Sequence, residues 1–355
     1  MPKVVQNQTF FKLDVLRLFM KKRYGVLLAL IVIILMIFVL KDINFIEVLN
    51  LLKEIILFWF WFAFLSIALM FVLWTLRFKN TLRGLTKQGT GFFYFLAVFM
   101  SGVFVNTITP GSNVGGEPIR AYFLSRKFKK QKTKFLGSII ADKFFNIAVF
   151  SLFLLFSILF VLLFVKISFI LKIIFEGFLL LIIFIGILVI FLSGRKIKFN
   201  LSGLVKKVYR FKRIRKKFKS FKKFESYIFR RIRNLGRVFK EGIFNKRTLF
   251  IGISLSFLIW ILNFLSSYFL FLAFDASVSF LSVIIVITLS YAVGDLSPIP
   301  GGIGLVESSM FLFYSAMGVP GSLAITVSLL SRVIYYFYAI IVGGLSLLYL
   351  RIKLK

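Results

Sequence analysis

Apolar residues run along this chain in long continuous stretches, and polar residues collect in the short segments between them. Six stretches, at 25–40, 55–76, 135–165, 173–192, 249–274 and 323–350, have the length and composition of membrane-spanning helices. Two more, at 92–109 and 279–297, are as apolar but run straight into helix breakers. Because the apolar runs are continuous and not alternating, a β-barrel is excluded. The pattern predicts an all-α polytopic membrane protein.

The first breaker is the stretch from Asn106 to Tyr122, which holds two prolines, three glycines, five small polar residues, a glutamate and an arginine. No helix continues unbroken through Pro110-Gly111 or Gly115-Gly116. The second breaker, Pro300-Gly301-Gly302-Ile303-Gly304, again carries a glutamate seven residues after its proline, Glu307 after Pro300 as Glu117 after Pro110. A charged residue follows each glutamate by 25 positions: Asp142 in the first copy and Arg332 in the second. Gly/Pro-interrupted apolar segments at corresponding places in two halves are the best sequence pointer to a transporter's binding site.

Charge sets the expected topology. Arg77, Lys79, Arg83 and Lys87 precede the 92–109 stretch, and Arg120, Arg126, Lys127, Lys129, Lys130, Lys132 and Lys134 follow it. Basic flanks on both sides belong to the cytoplasm, so the segment is expected to enter and return. The 279–317 segment has sparse, acidic flanks (Asp275, Asp295, Glu307) and is expected to enter from outside. The result is an inverted repeat of two oppositely oriented re-entrant hairpins among about six spans. Its parts are a cytoplasmic interfacial N-terminus (1–24) and a first membrane half (25–193, re-entrant at 92–127). A basic amphipathic cytoplasmic segment (194–248), a second half (249–350, re-entrant at 279–317) and a basic cytoplasmic tail (351–355) follow. Within 195–247, 21 Lys and Arg face only Glu225 and Glu241, interleaved with apolar residues at three/four spacing. Such a helix suits the anionic inner leaflet, each basic residue contributing about 1 kcal/mol. The apolar stripe argues against nucleic acid as a partner.

Composition narrows the chemistry. The 355 residues are 60% hydrophobic, with a mean hydropathy of +0.96 and a formal net charge of +35. The chain has no Cys and no His, which excludes thiol chemistry, disulfides, His ligands and Ser-His triads. Neither a metal nor a cofactor is expected. The candidates that remain are intramembrane charges, functional by default in lipid. Arg120, at the start of a half-helix behind Gly-rich amides, is the natural partner for a phosphate, and Arg332 could act likewise from the other side. Glu117 and Glu307 would hold those arginines or receive a cationic group, and Asp142 would balance Arg120 or Lys143. Asn106, Thr107, Thr109, Ser112 and Asn113 would line a path or satisfy the broken backbone. Each charged residue also fits a buried pair that only ties helices together.

The motif Thr109-Pro110-Gly111 with Gly115-Gly116-Glu117-Pro118-Ile119-Arg120-Ala121-Tyr122-Phe123-Leu124 resembles the signature of the flippase-like membrane domain of lysylphosphatidylglycerol synthases, which also occurs in stand-alone proteins. Pro300-Gly301-Gly302-Ile303-Gly304 with Glu307 resembles its second motif, except that Val306 stands where some relatives have an arginine. The likeness covers roughly residues 20–350, and nothing here resembles the soluble aminoacyl-transfer domain of the full synthases. It implies lipid translocation: an anionic, aminoacylated or polyprenyl-phosphate lipid crossing with its headgroup in a polar central cavity. Two other classes remain, a membrane-embedded transferase with Glu117 or Asp142 as base, and a scaffold recruiting a soluble lipid-modifying enzyme through 195–247. The cell membrane, with both termini cytoplasmic, is the expected location. Oligomeric state is not legible.

Overall fold

A computed structural model describes residues 45–86, 89–109, 115–164, 206, 209, 220–297 and 299–353. The expected spans at 25–40 and 173–192 lie outside these residues, as do most of the basic 195–219 stretch and Pro110, Gly111, Ser112 and Asn113. The described residues are helical, without strands. In chain order they form α1 (Phe45–Lys53), α2 (Leu57–Thr81), α3 (Phe92–Ile108), α4 (Gly116–Phe128), α5 (Lys132–Phe164), α6 (Phe221–Phe244), α7 (Lys246–Ala273), α8 (Phe280–Leu296), α9 (Leu305–Ala316), α10 (Gly321–Tyr336) and α11 (Gly343–Lys353). A short 3-10 turn, Pro300–Gly302, precedes α9, and a π-helical segment, Phe337–Val342, joins α10 to α11 without a break.

Four helices are long and apolar enough to cross a membrane: Leu57–Thr81, Lys132–Phe164, Lys246–Ala273 and the continuous Gly321–Lys353. They coincide with the predicted spans over the described residues, with ends shifted by a few positions. The largest shift is in α2, which the charges at Arg77 and Lys79 were expected to end. It runs on to Thr81 because Arg77 is buried by the fold instead of being placed in water.

At the centre α2 and α7 pack antiparallel. The Ile56 amide donates to the Ala273 carbonyl at 2.8 Å, the Ser266 hydroxyl donates to the Ala63 carbonyl at 3.0 Å, and Trp59 stacks on Phe269. Each central helix leads into a helical hairpin and then a long helix: α2 into α3/α4 and α5, α7 into α8/α9 and α10–α11. In the first hairpin Tyr94 bonds Phe123, Arg120 bonds Phe99 and Gly116 bonds Asn106. As one partner's number rises the other's falls, so α3 and α4 are antiparallel. Close packing there depends on glycine. A Cβ on Gly116 would collide with the Gly102 carbonyl, and one on Gly102 would collide with the Arg120 side chain.

The second turn is built from glycines at positive φ, Gly301 (+61°), Gly302 (+67°) and Gly304 (+84°), a region other residues enter at a cost of about 1 kcal/mol. The second turn meets the C-terminal end of α3. A Cβ built on Gly301 would lie 3.7 Å from the Thr107 carbonyl oxygen, and Gly343 of the last helix packs on Met100 and Phe104 of α3.

The amphipathic α6 turns part of its apolar stripe inward. Phe224 and Val238 are buried, Gly137 of α5 sits under Leu235 and Val238, and Arg231 and Asn234 bond Thr133 and Gln131. Lys222, Arg230, Arg233, Arg237 and Lys240 remain exposed on the outer face.

Candidate functional site

Between the two hairpins lies a cavity of about 340 Å³. Its wall draws on both halves: Arg77, Asn106, Glu117, Arg120, Asp142 and Lys143 from the first, and Trp260, Tyr291, Asp295, Gly301 and Arg332 from the second. Of the residues lining it, only Ile147 on α5 (54% exposed) and Asp295 near the end of α8 belong to the exposed class. The mouth therefore lies where α5 meets α8. Exposed apolar side chains flank it: Ile140 and Phe144 on α5, Val293 and Leu296 on α8.

Each hairpin is tied to the long helix that follows it by one carboxylate. Glu117, in the first turn of α4, accepts from Lys143 Nζ at 2.9 Å. Glu307, in the first turn of α9, accepts from Arg332 Nε at 3.0 Å. The two cations stand 26 and 25 positions beyond their glutamates, so the structural counterpart of Arg332 is Lys143, one residue past the Asp142 that the spacing suggests.

The second clamp is saturated. Arg332 Nη1 donates to the Tyr291 hydroxyl at 3.4 Å, and Nη2 donates to both the Gly301 carbonyl and the Tyr336 hydroxyl at 2.6 Å. Glu307 Oε2 accepts from the Gly304 amide at 2.7 Å and so closes the turn it follows. Glu307 itself does not line the cavity. The arrangement suits Arg332 to holding the Pro-Gly turn in place.

Asp142 is held elsewhere than expected. The sequence suggested Arg120 or Lys143 as its partner; the structure gives Arg77, whose Nε and Nη2 reach the two carboxylate oxygens at 2.9 and 3.4 Å. Arg77 Nη1 also donates to Asn146 and to the Ser256 hydroxyl, the latter at 2.7 Å. A side chain that is 0% exposed thus joins α2, α5 and α7. The desolvation cost of a buried charge makes such pairing obligatory. Sequence reasoning placed Arg77 in the cytoplasmic collar with Lys79. The missed signal was periodicity: Ile67, Met70, Trp74, Arg77 and Thr81 recur at three/four spacing on one face of α2.

Arg120 differs from both clamped cations. Among the described residues no carboxylate lies within ion-pair distance of it. Its Nε donates to the Phe99 carbonyl at 3.2 Å, and its guanidinium stacks on the Phe99 ring at 4.1 Å, with Phe78 at 5.7 Å. A desolvated cation over a ring gains about 2 kcal/mol. Its two terminal nitrogens, on the cavity wall, make no hydrogen bond to a described residue.

Of the small polar candidates, Asn106 lines the cavity and spends its side-chain oxygen on the Gly116 amide at 2.5 Å, satisfying the broken backbone. Thr107 lines the cavity while its hydroxyl bonds back to Val103. Thr109 bonds back to Val105 and lies outside the cavity wall. Gly115 packs its Cα against the Thr109 side chain, and Pro118 sits in the first turn of α4, where its missing amide costs nothing.

The chain is similar to several archaeal proteins. It is 28% identical over 292 residues to a UPF0104 membrane protein of Pyrococcus horikoshii, covering 81% of this chain and 85% of that one. It is 25% identical over 296 residues to one of Methanothermobacter thermautotrophicus, covering 81% and 85%. A third, from Methanocaldococcus jannaschii, is 28% identical over 294 residues, covering 81% and 84%. The model of the lysylphosphatidylglycerol synthase TM region matches residues 25–343, a span that contains both hairpins, both clamps and the cavity between them. This multi-helix membrane protein belongs to the lysylphosphatidylglycerol synthase TM region family.

Proposed function

We propose that this protein is a lipid translocase. The headgroup crosses in the central cavity with Arg120 engaging its phosphate, and the chains stay in the apolar phase outside the mouth between α5 and α8. One observation carries the proposal: a charge-lined cavity inside an apolar bundle opens beside exposed apolar residues, as an amphiphile requires. Arg120 is the cation whose terminal donors are uncommitted, while Arg77 and Arg332 are spent on the fold. Asp142 is committed to Arg77 through both oxygens, which speaks against its use as a transferase base.

In the membrane, the two hairpins are re-entrant and enter from opposite sides, within six spans arranged as an inverted repeat. Support comes from α4 and α9, which at 13 and 12 residues rise only about 18–20 Å against a hydrocarbon core of about 30 Å. The antiparallel first hairpin and the contact of the second turn with the end of α3 support the same topology. Both termini are cytoplasmic, in the cell membrane, and the outer basic face of α6 with the rest of 195–247 rests on the anionic inner leaflet.

The test is a vesicle assay with acyl-chain-labelled fluorescent lipids and dithionite, run across several phospholipids and a polyprenyl phosphate. Wild type should expose inner-leaflet probe, and Arg120→Ala should return the signal to that of protein-free vesicles. Wild type indistinguishable from protein-free vesicles for every lipid would overturn the proposal.

A further inference from the structure

Among the residues of the cavity wall, the terminal nitrogens of Arg120 make no hydrogen bond to a described residue, and the buried atoms Glu117 Oε2 and Trp260 Nε1 have no described partner. Their residues are 7%, 9% and 8% exposed, and the Glu117 and Trp260 atoms themselves are fully buried. A buried polar group without a partner costs about 1–3 kcal/mol. Together they describe a ligand by complement: acceptor oxygens for Arg120 and Trp260, and a donor for Glu117.

Formal charge adds an independent constraint. The wall carries the cations Arg77, Arg120, Lys143 and Arg332 and the carboxylates Glu117, Asp142 and Asp295, with Glu307 bonded directly behind Arg332. Four charges of each sign sum to zero. A desolvated site of zero formal charge penalises a ligand that brings net charge with it. The volume, about 340 Å³, lies at the small end of ligand sites, which suits a headgroup and leaves the chains outside.

We propose that the headgroup this cavity accepts is a zwitterion of zero net charge. Its phosphodiester oxygens meet Arg120 and Trp260, and the N–H donors of its ammonium group meet Glu117 Oε2. The assignment rests on the translocase proposal above and narrows it. A phosphomonoester brings about −1.5 to −2 at neutral pH. A glycerol phosphodiester brings one uncompensated negative charge. A choline phosphodiester is zwitterionic but has no N–H for Glu117.

The test uses the full chain in phosphatidylcholine vesicles with traces of acyl-chain-labelled phosphatidylethanolamine, phosphatidylglycerol or phosphatidic acid. Wild type should move phosphatidylethanolamine about tenfold faster than the two anionic lipids, the ratio expected from one charged hydrogen bond. Asp295→Asn, which adds one formal positive charge, should shift the ratio toward phosphatidylglycerol. Equal rates, or faster anionic lipids, in wild type would overturn the headgroup assignment while leaving translocation standing. A second measurement separates the two ideas: thermal unfolding in detergent with soluble glycerophosphoethanolamine or glycerophosphoglycerol. Stabilisation by the first alone, with no lipid moved, would keep the assignment and remove translocation. Stabilisation by neither, or more by the second, would overturn the assignment.

Discussion

The four cations of the cavity wall, three arginines and one lysine, differ in role because their bonds differ. Arg77 and Arg332 each answer a buried carboxylate, so removing either leaves a charge without compensation, at about 3–5 kcal/mol. Arg77→Met should therefore lower the melting temperature in detergent sharply, and the double variant Arg77→Met/Asp142→Leu should recover most of the loss. Arg120→Ala releases no carboxylate and should cost less than Arg77→Met, about the 2 kcal/mol of its stacking on Phe99. A large destabilisation by Arg120→Ala would mean that Arg120 is structural. The candidacy of Arg120, Glu117 and Glu307 was legible from their place beside breakers in apolar sequence, and that of Arg332 from its spacing of 25 positions after Glu307. The pairing of Glu307 with Arg332 was legible as well, but Glu117 was expected to hold Arg120 and instead holds Lys143, since a one-residue offset separates Asp142 from Lys143 and only the helix phase of α5 decides which of them faces Glu117. Arg77 escaped because a charge near a helix end resembles a topology signal; its phase with Met70 and Trp74 was the better guide.

At the level of elements, prolines and glycines told where helices stop, and boundaries followed within a few residues. What they did not tell is how closely the pieces approach. Gly116 seats α4 against the Gly102 carbonyl, and Gly343 seats the last helix against Met100 and Phe104. Gly116→Val should push α3 and α4 apart, detach the Asn106 bond and destabilise the protein by roughly 2 kcal/mol or more by overpacking. Gly84→Val, with open space around its Cα, is the control and should melt near wild type. The basic amphipathic segment shows the same limit. Its stripe was visible in sequence, yet a protein groove on α5 and a lipid surface are both apolar partners, and only the fold shows that Val238 meets Gly137.

For the whole molecule, continuous apolar runs made the class plain, and the flanking charges proposed how the chain is threaded. The chain has no cysteine, so single introduced thiols report sidedness cleanly. Cysteines at Thr90 and Lys129, either side of the first hairpin, should both react with a membrane-impermeant maleimide from the cytoplasmic side. Cysteines at Ser279 and Gly318, either side of the second, should both react from the outside. Thr90 and Lys129 reacting from opposite faces would show that the first hairpin crosses the membrane and would remove the inverted arrangement.

The unequal clamps on the two hairpins carry a mechanical consequence. The Pro300–Gly304 turn is riveted by a planar fork, two phenols and a carboxylate that returns to its own backbone. At α4, Glu117 is bound through a single oxygen to a flexible lysine stem. A vice with one fixed and one sliding jaw is stiff on one side only, and any breathing of the cavity should be carried by the sliding jaw. The backbone amides of Glu117, Ile119 and Arg120 should then exchange with deuterium faster than those of Glu307, Ser309 and Met310, although both segments begin helices of nearly equal length.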